Sequence, residues 1–129
     1  MLFGSQPFIA DMTATAVSAP SPVAKGMAER FQRRAGLIQG LLDGRAGLRV
    51  NAPEAGMFAL VDIAATGLSG EAFALGLLKD KLVAVMPGES FGAALAGWVR
   101  LSLTQSDARI AEACGRILCH ATALQERAA

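Results

Sequence analysis

The sequence predicts an α/β fold, a small mixed sheet packed with helices. Three observations carry that expectation. Trp98 to Leu103 alternates strictly, with Val99, Leu101 and Leu103 on one side and Trp98, Arg100 and Ser102 on the other. This is the two-residue period of a half-buried strand. Val23, Met27, Phe31, Ile38 and Leu42 recur at helical spacing, as do Ile110, Ala113, Cys114, Ile117, Ala121 and Leu124. Between these segments lie short apolar runs of strand type bounded by Gly and Pro. The order is two helices, two strands, one helix, two strands and one helix, layered as helices on a sheet.

Each element has its local reason. Met1 to Pro7 reads as an entry loop. A first helix starts at Pro7, because proline is well tolerated at the first helical position. It ends near Ser18, since the residue before Pro20 avoids the α region. Ile9, Met12, Ala16 and Val17 share one of its faces. Ser21 is the N-cap of a second helix, with Pro22 in its first turn. Arg30, Arg33 and Arg34 are assigned to its solvated side, and Gly44 to its C-terminal turn. Leu48–Asn51 and Met57–Ile63 form a hairpin around Pro53-Glu54-Ala55-Gly56. Ser69 caps a third helix, with Glu71 favourably placed in the first turn and Phe73, Leu77 and Leu78 as its apolar stripe. Val83, Val85 and Met86 form a short strand that Pro87-Gly88 breaks. Gly92 and Gly97 bound the next loop. Ser106 caps the last helix, whose end, Gln125 to Ala129, is expected to fray. The expectation is a single domain over 1–129, with a two-helix part (1–45) and a sheet-and-helix part (46–129).

A chain of 129 residues is long enough for one domain with its own core. It is 53% hydrophobic, with a mean hydropathy of +0.41. That surplus suggests apolar surface meant for a missing domain or partner subunit; a merely Ala-rich composition is the plainer alternative. The net charge of +1 gives no electrostatic case for nucleic acid or an anionic membrane. Six Phe, one Trp and no Tyr make no base-stacking platform, and no apolar run is long enough to span a bilayer. Met1 to Pro20 lacks a basic start and is interrupted by Asp11, which argues against a secretion signal. Two cysteines do not make a disulfide framework, so the expected setting is cytoplasmic.

The candidate chemistry narrows quickly. There is no G-x-G-x-x-G after a strand and no phosphate-loop lysine. Cys114, Cys119 and His120 scatter round a helix rather than sharing a face, so no metal site is expected. Cys114 reads as core and His120 as surface. A Cys–His nucleophile would need a convergence that spacing does not supply. Arg100 stands out as a cation in mid-strand. A buried arginine needs an anionic partner, and its planar fork suits a carboxylate or phosphate held bidentately. The residues alone leave two other readings open: an edge-strand arginine in water, or one paired with an acid such as Glu89.

The run Val83-Ala84-Val85-Met86-Pro87-Gly88-Glu89-Ser90-Phe91-Gly92, followed by Trp98-Val99-Arg100-Leu101-Ser102-Leu103, resembles the C-terminal small domain of the class I/II, fold-type I pyridoxal-phosphate aminotransferases. Pro53-Glu54-Ala55-Gly56-Met57-Phe58-Ala59-Leu60 is similar to the same domain's entry into a buried strand. The resemblance covers nearly the whole chain but only the last third of the family's length. It implies transfer of an amino group between an amino acid and a 2-oxo acid. Arg100 would grip the substrate's α-carboxylate, and Phe91 with the Pro87–Gly92 loop would shape the pocket. It also implies a large cofactor-binding domain outside this chain and a homodimer in the full-length enzyme. Met1 to Pro7 is similar to a segment near the partner subunit, and Met1 to Thr13 resembles the arginine–pyruvate transaminase branch.

The family's Schiff-base lysine follows a serine-rich motif. The only lysines here are Lys25, Lys79 and Lys81, and Lys25 follows Ser21-Pro22-Val23-Ala24, without a serine directly before it. No catalytic, cofactor-binding or metal-binding residue is therefore assigned. Pyridoxal phosphate is expected in the full-length family but not on this chain alone, which is expected to be inactive by itself. Beside this stand an autonomous α/β module that binds a carboxylate or a partner, and a decayed gene product.

Overall fold

The computed structural model describes residues 6–128. Helices α1 (Pro7–Ser18) and α2 (Pro22–Leu42) lead into strands β1 (Arg49–Asn51) and β2 (Phe58–Asp62). Helix α3 (Gly70–Lys81) follows, then the short strand β3 (Met86–Pro87) and two 3-10 turns, Gly88–Phe91 and Ala93–Leu95. Strand β4 (Trp98–Ser102) and helix α4 (Asp107–Ala128) complete the chain. The expected α/β class holds. The entry-loop and partner-subunit readings of residues 1–5 lie outside the described residues.

The sheet has the order β1-β2-β4-β3. Each of its pairs is antiparallel, where a mixed sheet was expected. The crossover through α3 explains the difference. It makes β2 and β3 run the same way, but β4 inserts between them and opposes both, so no parallel neighbours arise.

Helices α2, α3 and α4 cover one face of this sheet. Ala59, Val61, Val99 and Leu101 meet Ile38, Leu42, Phe73, Leu77, Ile110 and Ile117 in the core. Each large side chain fully buried there contributes about 1.5–3 kcal/mol. The caps form as read: the Ser21 and Ser69 hydroxyls each accept an N–H three residues on, from Ala24 and Ala72.

Several local expectations change. Val83 to Val85 does not join the ladder; its valines are half-buried against the core, which satisfies them without pairing. Pro87 itself belongs to β3, tolerated because β3 is the sheet edge. In α3, Ala74 is buried and Leu78 is 46% exposed. Arg34 is buried rather than solvated, its Nε donating to Asp107 Oδ1 at 2.7 Å and its Nη1 to the Leu103 carbonyl at 2.8 Å. His120 is also buried, edge-on to Phe73 with ring centroids 5.1 Å apart, because the inward stripe of α4 is wide enough to take it beside Ala121. Helix α4 is helical to Ala128, and residue 129 of the expected fraying end lies outside the described residues.

The other sheet face carries no helix among the described residues. Phe58, Leu60, Trp98, Arg100 and Met86 lie on it, since their strand neighbours Ala59, Val61, Val99 and Leu101 point into the core. Helix α1 also buries nothing, leaving Phe8, Ile9, Met12 and Val17 exposed.

Candidate carboxylate-binding site

Arg100 is placed by the strand register. It lies opposite Leu60 on β2 and Met86 on β3. Its side chain leaves the sheet on the face without helices. There the guanidinium carbon sits 4.0 Å from the centre of the Phe58 ring and 4.1 Å from the centre of the Phe91 ring. Phe58 reaches it diagonally from β2, where it pairs with Ser102. Phe91 arrives from the end of the first 3-10 turn. Each cation–π contact is worth about 0.5–2 kcal/mol, depending on how far water is excluded. A cation–π contact uses none of the guanidinium's N–H groups as conventional hydrogen-bond donors.

Among the described residues no carboxylate forms a salt bridge with Arg100. The Glu89 alternative is not formed. Glu89 Oε1 instead accepts the Gly70 N–H at 2.8 Å and the Gly97 N–H at 3.3 Å. Its own N–H first, and then that of Gly70, hold the Glu89 carboxyl below its usual range. Beside Arg100 lies a cleft of about 150 Å³, lined by Phe58, Ala84, Val85, Met86, Arg100 and Ser102.

No lysine and no acid lines this cleft. Lys25 lies on α2, and Lys79 and Lys81 in the last turn of α3. Pyridoxal phosphate needs an amine for its aldehyde and an acid for its ring nitrogen. The residues around Arg100 do not fit it, and no catalytic step is derived through it on this chain.

Nor do the described residues contain a group of three or more His, Cys, Asp or Glu able to hold a metal. Burial pushes the Cys114 thiol up to about 11, so it is a core residue without nucleophilic character. No helix among the described residues is long and apolar enough to cross a membrane.

The site thus brings together Arg100 and Phe91, both read from the sequence, and adds Phe58. Phe58 was recognisable only as part of a similar run. A signal for its role exists: once the hairpin register is set, the strand period puts Phe58 on the face of Arg100.

Residues 1–117 match the family profile for aminotransferases of class I and II. The chain belongs to that family. This aminotransferase chain is 46% identical over 125 residues to the arginine–pyruvate transaminase of Pseudomonas aeruginosa. The match takes in 96% of this chain and 32% of that protein. The crystal structure of the aspartate aminotransferase from Rhizobium meliloti superposes with a TM-score of 0.74 at 29% identity, covering 84% of this chain and 29% of that one. The aromatic aminotransferase from Pyrococcus horikoshii gives 0.68 at 32% identity, over 78% of this chain and 26% of that one. The aminotransferase chain therefore spans a third or less of the length of these relatives.

Proposed function

We propose that this chain is the C-terminal small-domain portion of a transaminase that moves an amino group between an amino acid and a 2-oxo acid. Arg100 binds the substrate's α-carboxylate, and Phe91, at the end of the Pro87–Gly92 loop, flanks its guanidinium rather than lining the cleft. The observation that carries this reading is the Arg100 guanidinium, within about 4 Å of two phenyl rings, unpaired with any described carboxylate, and lining a cleft.

Two parallel N–H groups of a guanidinium match the two oxygens of a carboxylate. Fixing the carboxylate fixes the direction of the substrate Cα–H, which is how a binding residue lowers the entropic cost of the reaction. Phe58, Val85 and Met86 give the cleft apolar walls beside the guanidinium. The family's pyridoxal phosphate, when bound, supplies the electron sink that makes this hydrogen acidic. The amine and the acid that hold the cofactor come, on this reading, from residues outside the 129. The 46% identity favours arginine and pyruvate as the substrate pair. A homodimeric, cytoplasmic enzyme completes the proposal, in keeping with two free cysteines.

A chimaera tests it. This chain replaces the matching third of the Pseudomonas aeruginosa arginine–pyruvate transaminase, and transamination is assayed. Turnover is expected, and Arg100→Lys should raise KM for both substrates about 100-fold, because a point charge cannot reproduce the bidentate fork. An unchanged KM in Arg100→Lys overturns the assignment.

A further inference from the structure

We infer that Glu89 is a positioning residue, a carboxylate tether that holds Phe91 against Arg100. The inference rests on the reading of Arg100 as the carboxylate ligand. Its geometric part stands on the loop alone.

Apolar burial does not place Phe91. The ring is 46% exposed, and its neighbours Ser90, Gly92, Ala93 and Ala94 are exposed as well. Something else must fix the loop, and Glu89, two residues before Phe91, is built to do so. Through Oε1 it accepts the Gly70 N–H at the start of α3 and the Gly97 N–H at the entry to β4. One carboxylate thereby joins the helix start, the loop and the strand that carries Arg100. The exposed N–H groups of the first turn of α3 favour a negative charge at this point.

Two glycines permit the close approach. A Cβ at Gly70 would overlap the Glu89 carboxylate and the Trp98 carbonyl, and one at Gly88 would overlap the Leu95 and Trp98 carbonyls. The arrangement is also costly. Glu89 Oε2 is buried without a hydrogen-bond partner, a state that normally destabilises a fold.

The consequence is a preformed arrangement. With Phe58 anchored on β2 and Phe91 held by Glu89, the guanidinium is restrained between two rings before a carboxylate arrives, so binding costs less ordering.

Two measurements test this. In the full 129-residue chain, NMR reads the ring-current displacement of the Arg100 δ-methylene and Nε–H signals, with Phe58→Leu and Phe91→Leu marking the share of each ring. Glu89→Ala is expected to reproduce the Phe91→Leu displacement and leave the Phe58 share intact. Glu89→Gln, which keeps an oxygen for Gly70 and Gly97, should stay near the parent. In the chimaera, Glu89→Ala should raise KM for the 2-oxo acid about tenfold with kcat changed less than twofold, and Glu89→Gln should restore KM to within about threefold; tenfold corresponds to about 1.4 kcal/mol.

Parent-like Arg100 signals in Glu89→Ala overturn the tether. If that variant does not fold, Glu89→Asp, one methylene shorter, carries the test: Arg100 signals that move together with the Gly70 N–H support it, and unmoved Arg100 signals overturn it. An Arg100→Lys chimaera with unchanged KM removes the carboxylate reading, while the NMR signals still decide the tether by themselves.

Discussion

Two phenyl rings close to a guanidinium restrain it without consuming its hydrogen-bond donors. That separates Arg100 from the other arginines whose partners are known. Arg34 and Arg33 both give their Nε donors to Asp107, and Arg49 gives its own to Asp62. Each of those guanidiniums already has an anion, whereas among the described residues Arg100 has aromatic rings and no ion-pair partner. His120 also has an unmet need, since its Nε2 is buried without a partner. Burial, first of all, pulls its pKa below the ordinary 6.5, with Asp80 opposing and Lys81 and Arg127 adding to the fall. The folded state therefore resists the proton that the unfolded chain accepts. Stability should be level above about pH 6.5 and fall as pH drops below it, towards the lower folded value. Urea unfolding between pH 8 and 5 checks this. His120→Leu should flatten that limb, and a parent-like slope in that variant would show that another group is responsible.

The elements show why some features were readable from sequence and others were not. Helices α2, α3 and α4 announced themselves through period and caps, because both are local: Ser21 and Ser69 find their N–H partners three residues away. β4 was readable through strict alternation. β3 was not, because an apolar run such as Val83 to Val85 looks the same whether it pairs or merely packs. Arg34 was misplaced because its partner, Asp107, lies 73 residues further on. That contact joins the middle of α2 to the first turn of α4. Hydrogen bonds from Arg33 and Arg34 hold the Asp107 carboxyl down to about 2, against an ordinary 3.8. A depressed carboxyl contributes stability that is complete above the unfolded value and lost as pH falls through the folded one. The α2–α4 clasp should therefore weaken between about pH 4 and pH 2. Acid titration followed by circular dichroism should show a shallower loss in Asp107→Asn, which starts from lower stability at neutral pH. An acid limb identical to the parent's would mean that the clasp adds nothing to folding.

At the scale of the whole molecule, the helices on one sheet face make a core, and the site lies on the other. Arg100, Phe58 and Phe91 occupy a surface that no helix among the described residues covers, and α1 has no buried residue of its own. Relatives about three times as long share this part of the fold. On the proposed reading, Arg100 supplies a carboxylate grip without a cofactor grip, and this division yields a direct prediction. Incubated with pyridoxal phosphate, arginine and pyruvate, the purified chain should form no alanine. After borohydride reduction, mass spectrometry should find no stoichiometric cofactor adduct at Lys25, Lys79 or Lys81, because none of these amines lines the Arg100 cleft. Surface lysines react with any aldehyde at high concentration, so the decisive readout is stoichiometry at one site with retained turnover. Alanine formation abolished by replacing a single lysine would place the cofactor on this chain and refute the division of labour. Its absence, together with turnover in the chimaera, would assign substrate anchoring to these 129 residues and cofactor chemistry to the rest of the enzyme.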